Sequence, residues 1–185
     1  MDLHATLCYN AFIGGMKVAE LWDIYDENRS LTGRTLERGM PLQEGEYHLV
    51  ADIWTVTPDK KILLSRRHPH KPYGGYWECT GGSVIAGENS MGGAWRELFE
   101  EVGIAVNPEE LIPILSFPFF NRLVDTYLVI KDVSLDRLDL QAEEVTDAML
   151  VTLSQFMLLY HEGLFHPILT QRWKLYEEKL TAYLI

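Results

Sequence analysis

Residues 82–104 read GSVIAGENSMGGAWRELFEEVGI, and this stretch decides the fold. From Glu88 to Val102 apolar residues recur at Met91, Ala94, Trp95, Leu98, Phe99 and Val102, the spacing of an amphipathic helix that Gly103 would end. At about 100° per residue, Glu97 and Glu101 lie about 40° apart and Glu97 and Glu100 about 60° apart, so three carboxylates share one face. Like charges on neighbouring turns weaken an isolated helix by a few tenths of a kcal/mol per pair. Arg96, four residues before Glu100, offsets part of that. A divalent cation would offset the rest, because hard ions such as Mg²⁺ favour clustered carboxylate oxygens. The apolar face would lock the helix onto a sheet and give a metal site a rigid base.

Working outward, Ala19–Tyr25 (AELWDIY) alternates as a strand does, and DENR turns the chain. The stretch SLTGRTLERGMPLQEGEY, charged and punctuated by Gly and Pro, reads as a connection with little regular structure. His48–Thr57 and Ile62–Ser65 form a hairpin across TPDKK, and a short strand near Trp77–Thr80 leads into Gly81-Gly82. Further strands are expected near Ile112–Phe119, Arg122–Ile130 and Met149–Thr152, with helices at Leu153–His161 and Pro167–Leu180. This is one α/β domain, a mixed sheet with helices on its faces.

The chain has 185 residues, 47% of them hydrophobic and 23% charged, ordinary for a globular domain. Residues 1–16 read as an extension, since a natural start falls at Met16, and 17–185 as the single domain. The net charge of −11, from 27 acidic and 16 basic residues, argues against a nucleic-acid groove or a membrane patch. No run is long enough for a membrane span. The two cysteines, Cys8 and Cys79, lack metal-ligand spacing and point to a reducing, cytoplasmic setting.

A solvated acidic face is the common explanation of E-x-x-E-E on a helix. The surrounding pattern overturns it. Gly82, Glu88, Arg96-Glu97, Glu100-Glu101 and Gly103 resemble the Nudix box, G-x5-E-x7-R-E-U-x-E-E-x-G-U with U apolar, at every specified position. By chance such a match arises on the order of once in 10⁷ chains of this size. LWDIYDENRSLTGRTLERG, EYHLVADIW and YWECTGGSVIAGEN resemble the branch related to isopentenyl-diphosphate isomerase.

The resemblance implies an α/β/α sandwich and a hydrolase that cleaves a diphosphate bond in a nucleoside diphosphate derivative or similar small metabolite. Glu97, Glu100 and Glu101 would ligate Mg²⁺, with Mn²⁺ as substitute, Glu100 or a late loop carboxylate (Glu143 or Glu144) would serve as base, and Arg96 would orient the carboxylates. A homodimer is common among relatives. Glu88 would open the helix, where the dipole favours a carboxylate. Arg66, Arg67, His68, His70 and Lys71 are the most basic run; Arg66 and Arg67, with the Gly82 backbone, are the expected substrate contacts. Tyr76 and Trp77 would stack a base or fill the core. Two rivals stand beside the hydrolase: an isomerase, against which Thr80 occupies the place of that branch's catalytic cysteine, and a non-catalytic binding module.

Overall fold

The computed structural model describes residues 19–185; the expected extension over 1–16, and Cys8 with it, lies outside them. The strands are β1 Leu21–Tyr25, β2 Leu31–Glu37, β3 His48–Val56, β4 Ile62–Arg67, β5 Trp77–Glu78, β6 Thr80–Ser83, β7 Ile112–Phe119, β8 Arg122–Ile130 and β9 Val145–Val151. The helices are α1 Ser90–Val102, α2 Leu153–His161 and α3 Pro167–Thr181. No helix among the described residues is long and apolar enough to cross a membrane.

All nine residues of β3 are buried, as an almost unbroken apolar and β-branched run predicts for a central strand. Its long partner is β8, parallel from His48↔Arg122 to Val56↔Ile130, and β7 continues the sheet antiparallel on β8. On its other edge β3 meets β4 only at Val56↔Ile62, the base of the expected hairpin. The two strands then part, and the segment 77–83 fills the fork. Trp77 and Glu78 pair with β4, whereas Thr80–Ser83 pair with Val50–Ile53 of β3. Strand β9 closes the outer edge of β4. The fork is what opens a site, because it leaves the Gly81-Gly82 backbone between two diverging strands.

The sheet is packed on both faces. Leu49, Ala51 and Ile53 of β3 meet Ala94, Leu98 and Val102 of α1. Val50, Trp54 and Val56 meet Phe156 of α2 and Trp173 and Tyr176 of α3. Each such large side chain, when fully buried, contributes roughly 1.5–3 kcal/mol from area alone. The expected α/β/α sandwich is what the chain forms.

Three expectations change. LTGRTLE, read as irregular, is β2, antiparallel to β1 from Leu21↔Glu37 to Tyr25↔Leu31. It buries almost nothing on either face, so it carries no hydrophobic alternation and is held by its ladder. Arg29 ties this hairpin to the main sheet through both oxygens of Asp125, at 2.7 Å each. The helix starts at Ser90, capped by the Asn89 side chain accepting from the Gly92 N–H at 2.8 Å, so Glu88 precedes the helix instead of opening it. Phe99, counted on the apolar face, is 46% exposed.

Candidate active site

Helix α1 is fixed at both ends. Asn89 caps its start, and Gly103, at φ 72°, ends it with its N–H donating to the Phe99 carbonyl. With Leu98 and Val102 fully buried beneath it, the helix projects Glu97, Glu100 and Glu101 along the fork between β3 and β4. Gly82 explains how closely. A Cβ on Gly82 would collide with the Glu97 carboxyl group, so only glycine lets that carboxylate lie against the strand. Glu101, 3% exposed, accepts the Gly81 N–H at 3.3 Å.

Arg96 binds the rest. Its Nε donates to Glu88 Oε1 at 2.9 Å, one terminal nitrogen reaches Glu97 (2.9 Å) and Glu100 (3.0 Å), and the other reaches the Ser83 carbonyl (3.0 Å) and Glu88 Oε2. Burial works against its charge, but hydrogen bonds to Glu88 and the charges of Glu97 and Glu100 hold its pKa above the ordinary arginine value. Glu88 also accepts the Ile85 N–H, so its place is the loop before the helix, where it holds Arg96.

Burial pushes the Glu101 carboxyl well above the usual range, and the neighbouring charges of Glu97 and Glu78 push the same way. Glu97 is raised too, by burial first, with Arg96 pulling it back. Among the described residues no three His, Cys, Asp or Glu side chains already converge as ligands, since Glu97 and Glu100 are turned onto Arg96. The donor set nevertheless suits a hard cation: it is oxygen only, partly to fully buried, excess in negative charge, and set against a strand that carries no side chain at Gly82.

These groups line one cavity of about 420 Å³. Arg67 lines it as expected and is paired with Glu78 at 3.1 Å. Arg66 does not: it is exposed, donates to the Gly75 carbonyl and lies over the Trp77 ring at 5.8 Å. Adjacent strand residues point to opposite faces, so both could not have faced one site. His68 and His70 also lie outside the lining, while Lys71 enters it, ion-paired to Glu144. Burial lowers the Lys71 pKa, against the pull of Glu101. Glu144 is therefore in the site and Glu143 is not. Arg38, Arg122 and Gln141 line the cavity with no sequence signal to announce them. Cys79 is buried in the layer under α2 and α3, its thiol raised well above the usual value by burial and by Asp52.

A cavity with carboxylates on one wall and arginines on another suits an anionic substrate handled with a cation. Residues 46–172 match the model of the NUDIX domain, and the chain belongs to the Nudix family. Over 150 residues it is 37% identical to an uncharacterized Nudix hydrolase of Listeria monocytogenes, covering 80% of this chain and 89% of that one. Among solved structures, one from Deinococcus radiodurans superposes with a TM-score of 0.70 at 17% identity, over 84% of this chain and 98% of that one. A MutT protein of Methanosarcina mazei superposes at 0.53 and 19% identity, over 71% and 94% respectively. These superpositions carry the fold; the family match makes the chain a Nudix-type hydrolase, a class of enzymes that act on small molecules with divalent metals.

Proposed function

We propose that the chain hydrolyses a diphosphate bond in a nucleoside diphosphate derivative or similar small metabolite, with Mg²⁺, or Mn²⁺ in its place, held by Glu97, Glu100 and Glu101. The observation that carries the reading is the pair of carboxylates, the buried Glu101 and the largely buried Glu97, pressed against Gly81-Gly82 inside a cavity whose other wall is basic. When bound, the cation supplies Lewis-acid chemistry: it neutralises phosphate charge and lowers the pKa of an attacking water.

The chain's own groups do the rest. Arg96 holds Glu97 and Glu100 at fixed spacing and is in turn held by Glu88 and the Ser83 carbonyl, so it positions carboxylates and does not contact substrate. Glu100 is the base that takes the proton of water. Of the three carboxylates on Arg96 it is the most exposed, at 31% against 23% for Glu88 and 15% for Glu97. Glu144, the alternative, is as exposed, at 32%, and is engaged by Lys71 as Glu100 is by Arg96, so the choice rests on Glu100 sharing one helix face with Glu97 and Glu101. Arg67 and the Gly82 backbone contact the phosphates. No covalent intermediate is required, and Cys79 has no part. A homodimer and a cytoplasmic setting complete the reading.

The test is phosphate release across a panel of nucleoside diphosphate derivatives, with Mg²⁺ and with chelator. Turnover of the best substrate is expected only with metal. Full turnover in chelator, or in both Glu97→Gln and Glu101→Gln, would overturn the assignment.

A further inference from the structure

Five basic side chains line the cavity, and four of them have an acid. Arg38 meets Glu20, Arg67 meets Glu78, Lys71 meets Glu144, and Arg96 meets Glu88, Glu97 and Glu100. Arg122 makes no ion pair or side-chain hydrogen bond among the described residues, although it is half-buried in the cavity wall. It stands at the start of β8, in register with His48 and therefore on the sheet face opposite α1.

The one carboxylate whose charge reaches Arg122 from this side is Asp52, and Arg172 already holds it; burial and the Arg172 charge push the Arg122 pKa down. His48 is 3% exposed, lies under the Trp22 ring with centroids 4.0 Å apart, and leaves its Nδ1 without a partner. Burial, then the charges of Arg122, Arg172 and Arg38, keep it neutral, with a pKa lowered to about 4. Arg172 gives one terminal nitrogen to Asp52 at 2.7 and 3.0 Å, while its Nε is buried and unpartnered. Positive charge is in excess here, whereas negative charge is in excess at α1. A guanidinium removed from water without an anion is costly, and its planar fork matches phosphate oxygens two at a time.

We propose that Arg122 binds a phosphoryl group of the substrate, on the wall of the cavity away from the α1 carboxylates. The assignment rests on the reading of the substrate as a diphosphate: one part of its charge is met at the carboxylate cluster through a cation, and the remainder is met by Arg122. It makes Arg122 a determinant of the site's affinity for a diphosphate over other anions.

The probe is inorganic pyrophosphate, titrated calorimetrically into the full chain in chelator, with malonate as the carboxylate counterpart. The wild type is expected to bind pyrophosphate saturably and more tightly than malonate. Arg122→Gln should weaken it by roughly tenfold to a hundredfold, the range of a charge-assisted hydrogen bond or two. Arg122→Lys, which keeps the charge but not the fork, should fall between. Arg66→Gln, exposed and outside the cavity, should bind as the wild type does. Melting curves identify any variant that has lost its fold, and the lysine variant then decides. No saturable binding by the wild type, equal binding by Arg122→Gln, or a preference for malonate overturns the proposal. Because neither metal nor turnover enters, this result is separate from the fate of the hydrolase reading.

Discussion

Glu101 shows how a single residue is held in an unfavourable state for use. Its carboxyl is buried beside Glu97 and Glu78, with the Gly81 N–H as its hydrogen-bond donor. Replacing it with Gln keeps size and helix propensity almost constant while removing that charge. With metal-ligand chemistry at this position, kcat falls by roughly 10²-fold or more, metal-free stability holds or rises, and the thermal shift on adding Mg²⁺ shrinks. Wild-type turnover in Glu101→Gln would sink the assignment, and a lower metal-free melting temperature would mark a merely structural carboxylate. Gly82→Ala tests the neighbouring contact, where the Glu97 carboxyl lies against the strand. Its Cβ has no room beside the Glu97 carboxyl, so turnover is expected to fall by at least tenfold (roughly the loss from a misplaced group) while β6 keeps its pairing. At Cys79 the expectation is the reverse. The thiol is buried outside the cavity, so Cys79→Ala, in protein that folds, should keep kcat within about an order of magnitude, and a collapse of turnover would revive cysteine chemistry.

At the scale of elements, α1 was legible because its chemistry is contiguous: carboxylates, apolar stripe and terminating glycine fall within one helix length, whereas its start was read two residues early, at Glu88, and the Asn89 cap was missed. Asn89→Ala tests the local reading, with an expected loss of about 1 kcal/mol in chemical denaturation; no change would mean that packing alone sets the helix start. β3 was legible for the opposite reason, being an apolar and β-branched run interrupted only by His48 and Asp52. β2 was not, since a strand that buries neither face leaves no period to read. The site was half legible. Glu97, Glu100, Glu101, Arg67 and Gly82 meet in the cavity, but Arg66 shares only its sequence neighbourhood with Arg67 and leaves by the other face. Strand alternation contained that information, because two successive residues of β4 cannot both serve one wall. Arg38 and Arg122 could not be read, as each sits in unremarkable local sequence and reaches the cavity only through the β1–β2 hairpin and the β3–β8 register.

For the whole molecule, the response to acid is set by groups that the fold holds away from their usual charge state. His48 and His166 are both buried, and burial first, then nearby arginines, lowers each pKa from 6.5 to about 4. A depressed histidine is neutral in the fold and protonated in the unfolded chain between these values. Its contribution is therefore complete above pH about 6.5 and is lost as pH falls toward about 4, at roughly 1.4 kcal/mol per pH unit and up to about 3 kcal/mol per site. Asp52, Glu78, Glu97 and Glu101 act with the opposite sign, because burial raises their carboxyls and acid relieves the cost of their charge. The net slope mixes both sets, so the histidine share must be read as a difference. His48→Phe keeps a ring under Trp22 and removes a nitrogen that has no partner. His166→Asn keeps an acceptor for the Ile168 N–H, which His166 Nδ1 now caps at 3.2 Å, and removes the titration. Measured by chemical denaturation from pH 7.5 to 4.5 in chelator, the double variant should gain on the wild type steadily below pH about 6.5 and run parallel to it above. Parallel curves across the whole range would mean that neither imidazole is held neutral by the fold. A gain in His166→Asn alone would leave His48 protonated among three arginines, and would remove the excess of positive charge from its place in the account of Arg122.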